Sequence, residues 1–137
     1  MKMTIVVHSG DLDKVMSALI LGNGILAMGG DVTLYFTFWG LQRLVRGRFS
    51  KAPLSKMHFM GLGKWMMVQR MKKNRVAEPE RLMEDFKALG GRVIACEMTM
   101  ELMGLSKDQM NDQWIDHYGA VGSYVKETEN ADNTLFI

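Results

Sequence analysis

A chain of 137 residues, 47% of them hydrophobic, suits one domain burying roughly 68% of the surface of its unfolded form, so residues 1–137 are expected to fold as a single unit. Its single cysteine excludes an intramolecular disulfide framework and any cysteine-rich zinc or iron–sulfur site, and its three scattered histidines lack paired spacing, so no metal or cofactor is expected and the lone thiol points to a reducing, cytoplasmic compartment. The net charge of +2 is modest, no apolar run approaches the ~20 residues of a membrane span, and the opening Met1–Val7 run meets polar His8 too soon for a signal-peptide core.

Met3 to Val7 is a β-branched apolar run that predicts a strand. Asp11 can then cap a helix in which Leu12, Val15, Met16, Leu19 and Ile20 recur at helical spacing until Gly29-Gly30. Val32 to Phe36 predicts a second strand, parallel to the first through a right-handed crossover. The loop His8-Ser9-Gly10-Asp11 reads either as a turn with a capping serine or aspartate, or as a ligand contact made by His8 and Ser9. Gly22, Gly24, Gly29 and Gly30 make no dinucleotide fingerprint, because that motif needs its glycines in the first turn between strand and helix.

Beyond the second strand the charge pattern changes. No Asp or Glu lies between Asp31 and Glu78, while ten Lys and Arg do, and from Glu78 onward twelve acids face five bases. Such asymmetry predicts an interface: an anion-binding loop, an acidic partner, or a basic surface meeting the acidic half of a neighbouring subunit, against the plainer reading of a solvated basic face. Nucleic acid is not expected, since no helix-turn-helix, RNP or zinc pattern accompanies the charge. The gap from Phe36 to Val93 far exceeds a simple crossover, so residues 40–76 read as a basic, Met-rich insertion whose 57–71 part forms a loop, then a helix, serving as a flap or subunit contact. Fourteen methionines, concentrated at 57–71 and 98–103, could line a pocket for polarizable sulfur or simply fill irregular packing.

Pro79 opens a helix with Leu82, Met83, Phe86 and Leu89 on its apolar stripe, ended by Gly90-Gly91. Val93-Ile94-Ala95 follows as a short strand apolar on both faces, and helix formers run from Glu97 to Gly104. Cys96 therefore falls at the carboxyl end of a parallel strand and the start of a helix, where open α/β sheets bind ligands and where the thiolate, the reactive form of cysteine, is favoured. A buried cysteine acting as a small hydrophobe is the competing reading. Ser106-Lys107-Asp108-Gln109 reads as a capping box, Gln113 to Asp116 as a brief strand, 123–130 as a last helix and Asn133 to Ile137 as a final strand, central in the sheet. The expected fold is a three-layer α/β/α sandwich with about five mostly parallel strands.

Ala95-Cys96-Glu97-Met98-Thr99-Met100-Glu101-Leu102-Met103-Gly104 resembles the Ala-Cys-x-Met-Ser-Met-x-x-Met-Gly signature of the DsrE/DsrF-like family, in the branch described as peroxiredoxin-like or DsrE-type sulfurtransferase. Val6–Lys14, Thr37–Leu41 and Thr134–Ile137 resemble the same branch, so the likeness spans nearly the whole chain. It implies the same fold, trimers or hexamers, and a cytoplasmic sulfur relay in which Cys96 carries a persulfide. Thr99 keeps the hydroxyl of the family's serine, whereas Glu97 adds negative charge that opposes a lowered thiol pKa. Thr99, Met98 and Glu97 are the candidates for supporting the thiolate, and His8, Ser9, Trp39 and Gly40 for lining its pocket. The expected function is a sulfur carrier or sulfurtransferase between donor and acceptor proteins. A non-catalytic nucleotide- or coenzyme-A-binding module is the alternative, and peroxidase chemistry is disfavoured by the lack of a resolving cysteine.

Overall fold

In the computed structural model, which describes residues Met1–Ile137, the chain runs β1 (Lys2–Val7), α1 (Leu12–Ala27), β2 (Asp31–Phe36), α2 (Phe38–Leu41), α3 (Leu62–Lys73), α4 (Pro79–Ala88), β3 (Arg92–Cys96), α5 (Glu97–Leu102), β4 (His117–Gly119), α6 (Val121–Thr128) and β5 (Asn133–Phe136), with short 3-10 turns between α2 and α3 and before β4. All five strands are parallel and lie in the order β4-β3-β2-β1-β5. The expected α/β architecture is thus present, with α1 linking neighbouring strands β1 and β2.

Strand alternation sorts the side chains between two unequal layers. On one face Ile5, Val7, Val32, Leu34, Phe36, Val93 and Ala95 meet Val15 and Leu19 of α1 and Met83 and Phe86 of α4 in a core of 19 buried residues. At about 1.5–3 kcal/mol for each large apolar side chain removed from water, this layer carries most of the hydrophobic stabilisation. Gly22 and Gly91 belong to it, because a Cβ on either would lie 2.8 Å or 2.4 Å from the Phe86 ring. The opposite face buries only four apolar residues, Val6, Tyr35, Ile94 and Cys96, beside Thr4 and Thr33, with Tyr124 of α6 laid against the apolar four and its ring 5.1 Å from that of Tyr35. No residue of α6 is fully buried. The cysteine therefore sits in the thin layer.

Several expectations need correcting. Residues 113–116 do not form a strand. Trp114 packs edge-on against Phe49 at 4.9 Å, and Asp116 is bound to Val93 through both its N–H and its carboxylate, so pairing with β3 begins only at His117. The terminal strand β5 is an edge rather than a central strand: it pairs with β1 alone, all four of its residues are exposed, and Phe136 is 72% exposed. Its apolar side chains indicated burial that the isolated protomer does not supply. Leu89 lies beyond the end of α4 and is exposed, and α6 occupies 121–128 rather than 123–130.

The basic segment divides in two. Leu41, Leu44, Val45 and Phe49 enter the main core, and Ala52 and Leu54 pack on Leu12 and Met16 of α1, so its first part is body rather than flap. Its second part, α3, buries no residue. No helix of the chain is long and apolar enough to cross a membrane.

Candidate functional site

Cys96 ends β3 and is the residue from which α5 starts, with extended backbone angles. It is 1% exposed. Burial alone would suit a small hydrophobe, yet its surroundings are not hydrocarbon. β2 lies beside β3 with Phe36 opposite Ala95, which brings Thr37 level with Cys96, and alternation sends Tyr35 to the same face. The Tyr35 hydroxyl is buried without a hydrogen-bond partner, in the same cluster as the thiol. Thr99, on the first turn of α5, is fully buried three residues on from the sulfur.

The two threonine hydroxyls are hydrogen-bonded to each other. Thr99 Oγ1 accepts the Phe38 N–H at 3.2 Å and lies 3.0 Å from Thr37 Oγ1. A hydroxyl has one proton to give and two lone pairs to receive, so Thr99, accepting from the Phe38 N–H, can exchange a hydrogen bond with Thr37 in either direction, and whichever hydroxyl does not donate within the pair has its proton free for the thiol. Phe38, which donates that N–H, holds a left-handed backbone, φ 47°. A strained non-glycine residue supporting a buried network of this kind is typical of a functional position.

Burial pushes the Cys96 thiol pKa up, but the Thr99 hydroxyl, the Tyr35 hydroxyl, the Thr99 N–H and the Thr37 hydroxyl together outweigh it, and the pKa falls below its ordinary value. Conversely, burial and the neighbouring Cys96 raise the Tyr35 phenol well above its usual range, so it stays a proton donor. Glu97 does not prevent the shift. Its carboxylate turns toward Lys107, with 3.9 Å between the charges, rather than toward the sulfur.

The sequence candidates are gathered only in part. Thr99 is in the network, Met98 is largely exposed, and Glu97 is turned away. His8 stacks on Phe38 with ring centroids 5.1 Å apart and lies 5.4 Å from Phe136. Gly40 is a close-approach residue, since its N–H donates to the His8 carbonyl at 2.9 Å and a Cβ would stand 2.1 Å from the Val7 carbonyl oxygen. Ser9 and Trp39 line a separate cleft of about 280 Å³ with Asp11 and Arg43, which Cys96 does not line. Ser9 also accepts the Asp11 N–H at 3.1 Å, the turn-capping role. Tyr35 and Thr37 went unread in the sequence. Their signal was a tyrosine and a threonine two apart at the end of an apolar strand, legible only once β2 and β3 are known to be neighbours. No three His, Cys, Asp or Glu side chains gather as a metal set.

Fold and site together define an α/β/α protein with one buried, donor-lined thiol at the carboxyl edge of a parallel sheet. The chain belongs to the DsrE/DsrF/DrsH-like family, whose model matches residues 1–136. It is 37% identical to a protein described as uncharacterized, YrkE of Bacillus subtilis (strain 168), over 98% of this chain and 95% of that one. It is 30% identical to the sulfur carrier protein DsrE2 of Allochromatium vinosum, over 99% and 98% of the two chains. Among solved structures, the ychN protein of E. coli shares the fold with a TM-score of 0.64 at 15% identity, covering 100% of both chains. The protein MTH1491 of Methanobacterium thermoautotrophicum does so with a TM-score of 0.66 at 14% identity, covering 98% of this chain and 97% of that one.

Proposed function

We propose that this protein is a sulfur carrier or sulfurtransferase of a cytoplasmic sulfur relay, holding sulfane sulfur as a persulfide on Cys96, with residues 1–137 acting as one domain and 40–76 as its insertion. The observation that carries the proposal is the place of Cys96, buried at the junction of β3 and α5 in one cluster with Tyr35 and beside the hydrogen-bonded Thr37 and Thr99 hydroxyls, which favour a lowered thiol pKa. Similarity to a sulfur carrier across nearly the full chain supports it.

In the loading step the Cys96 thiolate attacks the outer sulfur of a donor persulfide. A new S–S bond forms at Cys96, the donor's S–S bond breaks, and the donor leaves as a thiolate. In the unloading step an acceptor thiolate attacks the outer sulfur on Cys96, which departs as the thiolate it was. No net oxidation occurs. Tyr35 and Thr99 act on both steps by stabilising Cys96 as attacking group and as leaving group, and a leaving thiol of lower pKa departs faster. Because Cys96 is 1% exposed, exchange requires local opening of the covering side chains.

The donor and acceptor are proteins that present a thiol or persulfide. A homo-oligomer completes the thin face: Phe136, Val121 and Val125 are exposed around it, more apolar surface than a small soluble protomer usually leaves in water.

Intact-mass spectrometry after incubation with a persulfide or polysulfide donor tests the reading. Wild type gains sulfur that dithiothreitol removes, and folded Cys96→Ser gains none. If wild type gains nothing with several donors while retaining a nucleotide or coenzyme A, the carrier reading fails and the binding module replaces it.

A further inference from the structure

The segment from Met57 to Arg75 has an unusual distribution of polarity. Met57, Phe59, Met60, Leu62, Trp65 and Met66 are exposed, Met60 fully so. Arg70, Lys72, Lys73 and Arg75 are exposed at the other end of α3 and take part in no ion pair. Polarity is therefore divided along the helix axis rather than around it, giving an apolar tip and a basic collar.

The tip is built. Met57, Phe59 and Met60 all hold left-handed backbone, with φ 56°, 44° and 55°. Non-glycine residues adopt that region at a cost, and these three do so with large apolar side chains in water. His58 fixes the arrangement: its carbonyl accepts the N–H groups of Gly61 and Gly63 at 2.9 Å and 3.0 Å, and its Nδ1 accepts the Leu54 N–H at 3.3 Å. Gly63 is required there, because a Cβ would stand 1.5 Å from the Met57 carbonyl oxygen.

We propose that Met57–Arg75 docks on an anionic lipid surface, the Met57–Met66 tip entering the acyl boundary and the Arg70–Arg75 collar meeting the headgroups. Three observations choose lipid over a protein partner. The charge is of one sign throughout, with no Asp or Glu between Asp31 and Glu78, as a uniformly negative surface requires. Trp65 stands where the apolar tip gives way to the collar, the level at which tryptophan settles in a membrane interface. A second copy of this chain is a poorer complement, because much of its acid is already committed within the protomer: Asp85 to Arg81, Asp116 to Lys87, Asp112 to Arg46, Glu97 to Lys107 and Glu127 to Arg92. Insertion of this kind reaches about 5–10 Å into the headgroup boundary and needs no spanning helix. The inference does not depend on the chemistry of Cys96.

The test is flotation of the full chain with vesicles of phosphatidylcholine alone and of equimolar phosphatidylcholine and phosphatidylglycerol, with brominated acyl chains as a depth probe. The expected result is binding to the anionic vesicles, with tryptophan quenching that Trp65→Phe removes. Lys72→Gln, Lys73→Gln and Arg75→Gln together should weaken partitioning on the order of 100-fold, at several-fold for each charge. Phe59→Asn with Met60→Asn should also release the protein while leaving its melting temperature unchanged, since asparagine tolerates left-handed backbone and neither side chain is buried. Absence of binding to anionic vesicles overturns the proposal, as does binding that survives the tip variant. Two further outcomes overturn it: equally tight binding to soluble polyglutamate, which would indicate an acidic protein, and a tip-dependent change in oligomeric mass without lipid, which would indicate a second copy.

Discussion

Replacing Tyr35 with phenylalanine separates the chemistry of the thiol from the stability of the fold. The Tyr35 hydroxyl is buried, has no hydrogen-bond partner, and lies in the same cluster as Cys96. Its removal leaves the ring's packing on Tyr124 and deletes only a donor to sulfur. A hydrogen bond to a charged group contributes about 1.5–3 kcal/mol, and 1.36 kcal/mol corresponds to one pKa unit, so the Cys96 pKa should rise by about 1–2 units. Since the phenol gains nothing else by being buried, the melting temperature at a pH where the thiol is protonated should hold or increase. The assay is the pH dependence of iodoacetamide alkylation, with thiolate absorbance as an independent readout. An unchanged midpoint would show that Tyr35 does not act on the sulfur. An unchanged midpoint with a large loss of stability would show that its hydroxyl serves the fold instead.

Thr99→Val should raise the same pKa and also destabilise the protein by about 1–3 kcal/mol, because the buried Phe38 N–H and Thr37 hydroxyl lose their common partner; chemical denaturation beside the alkylation profile reads both effects. Cys96 is an acid whose pKa is lower folded than unfolded, so between that lowered value and the ordinary 9.0 the unfolded chain binds more protons. Stability of wild type relative to Cys96→Ser should therefore increase with pH across this window and be lost as pH falls through the folded pKa, which melting curves over a pH series will show. Gly40→Ala should cost about 1–3 kcal/mol through overpacking, since its Cβ meets a backbone carbonyl that cannot move aside like a side chain, and the loss should appear in the denaturation midpoint.

What could be read from the sequence follows the range over which each signal acts. The apolar, β-branched runs at Met3–Val7 and Val32–Phe36, and the helical spacing from Leu12, are local, and β1, α1 and β2 lie where these patterns put them. The position of Cys96 between strand and helix is local too. Tyr35 and Thr37 were invisible for the opposite reason, since their role exists only once β2 lies beside β3. Apolar composition misled at β5, where Leu135 and Phe136 suggested double burial but lie on an edge. It misled differently at 113–116, where Trp114 and Ile115 serve the core from a turn. The acid-free stretch marked an unusual surface, but charge alone could not show that its first part, through Phe49 and Leu54, would be packed inside.

The placement of β5 also governs the order in which the sheet can assemble. β1, β2, β3 and β4 are neighbours in the order in which they occur along the chain, so each can join the growing sheet as it follows the last. β5 reverses direction across the sheet to reach the free side of β1, and the Lys2 N–H donating to Asp132 closes a separation of 130 residues. Closure over such a span costs loop entropy before any contact repays it. Until it occurs, β1 has an open edge and Phe136 is absent from beside His8. The thiol network, built from β2, α2, β3 and α5, takes no residue from β5 and so does not depend on the outer strand being docked.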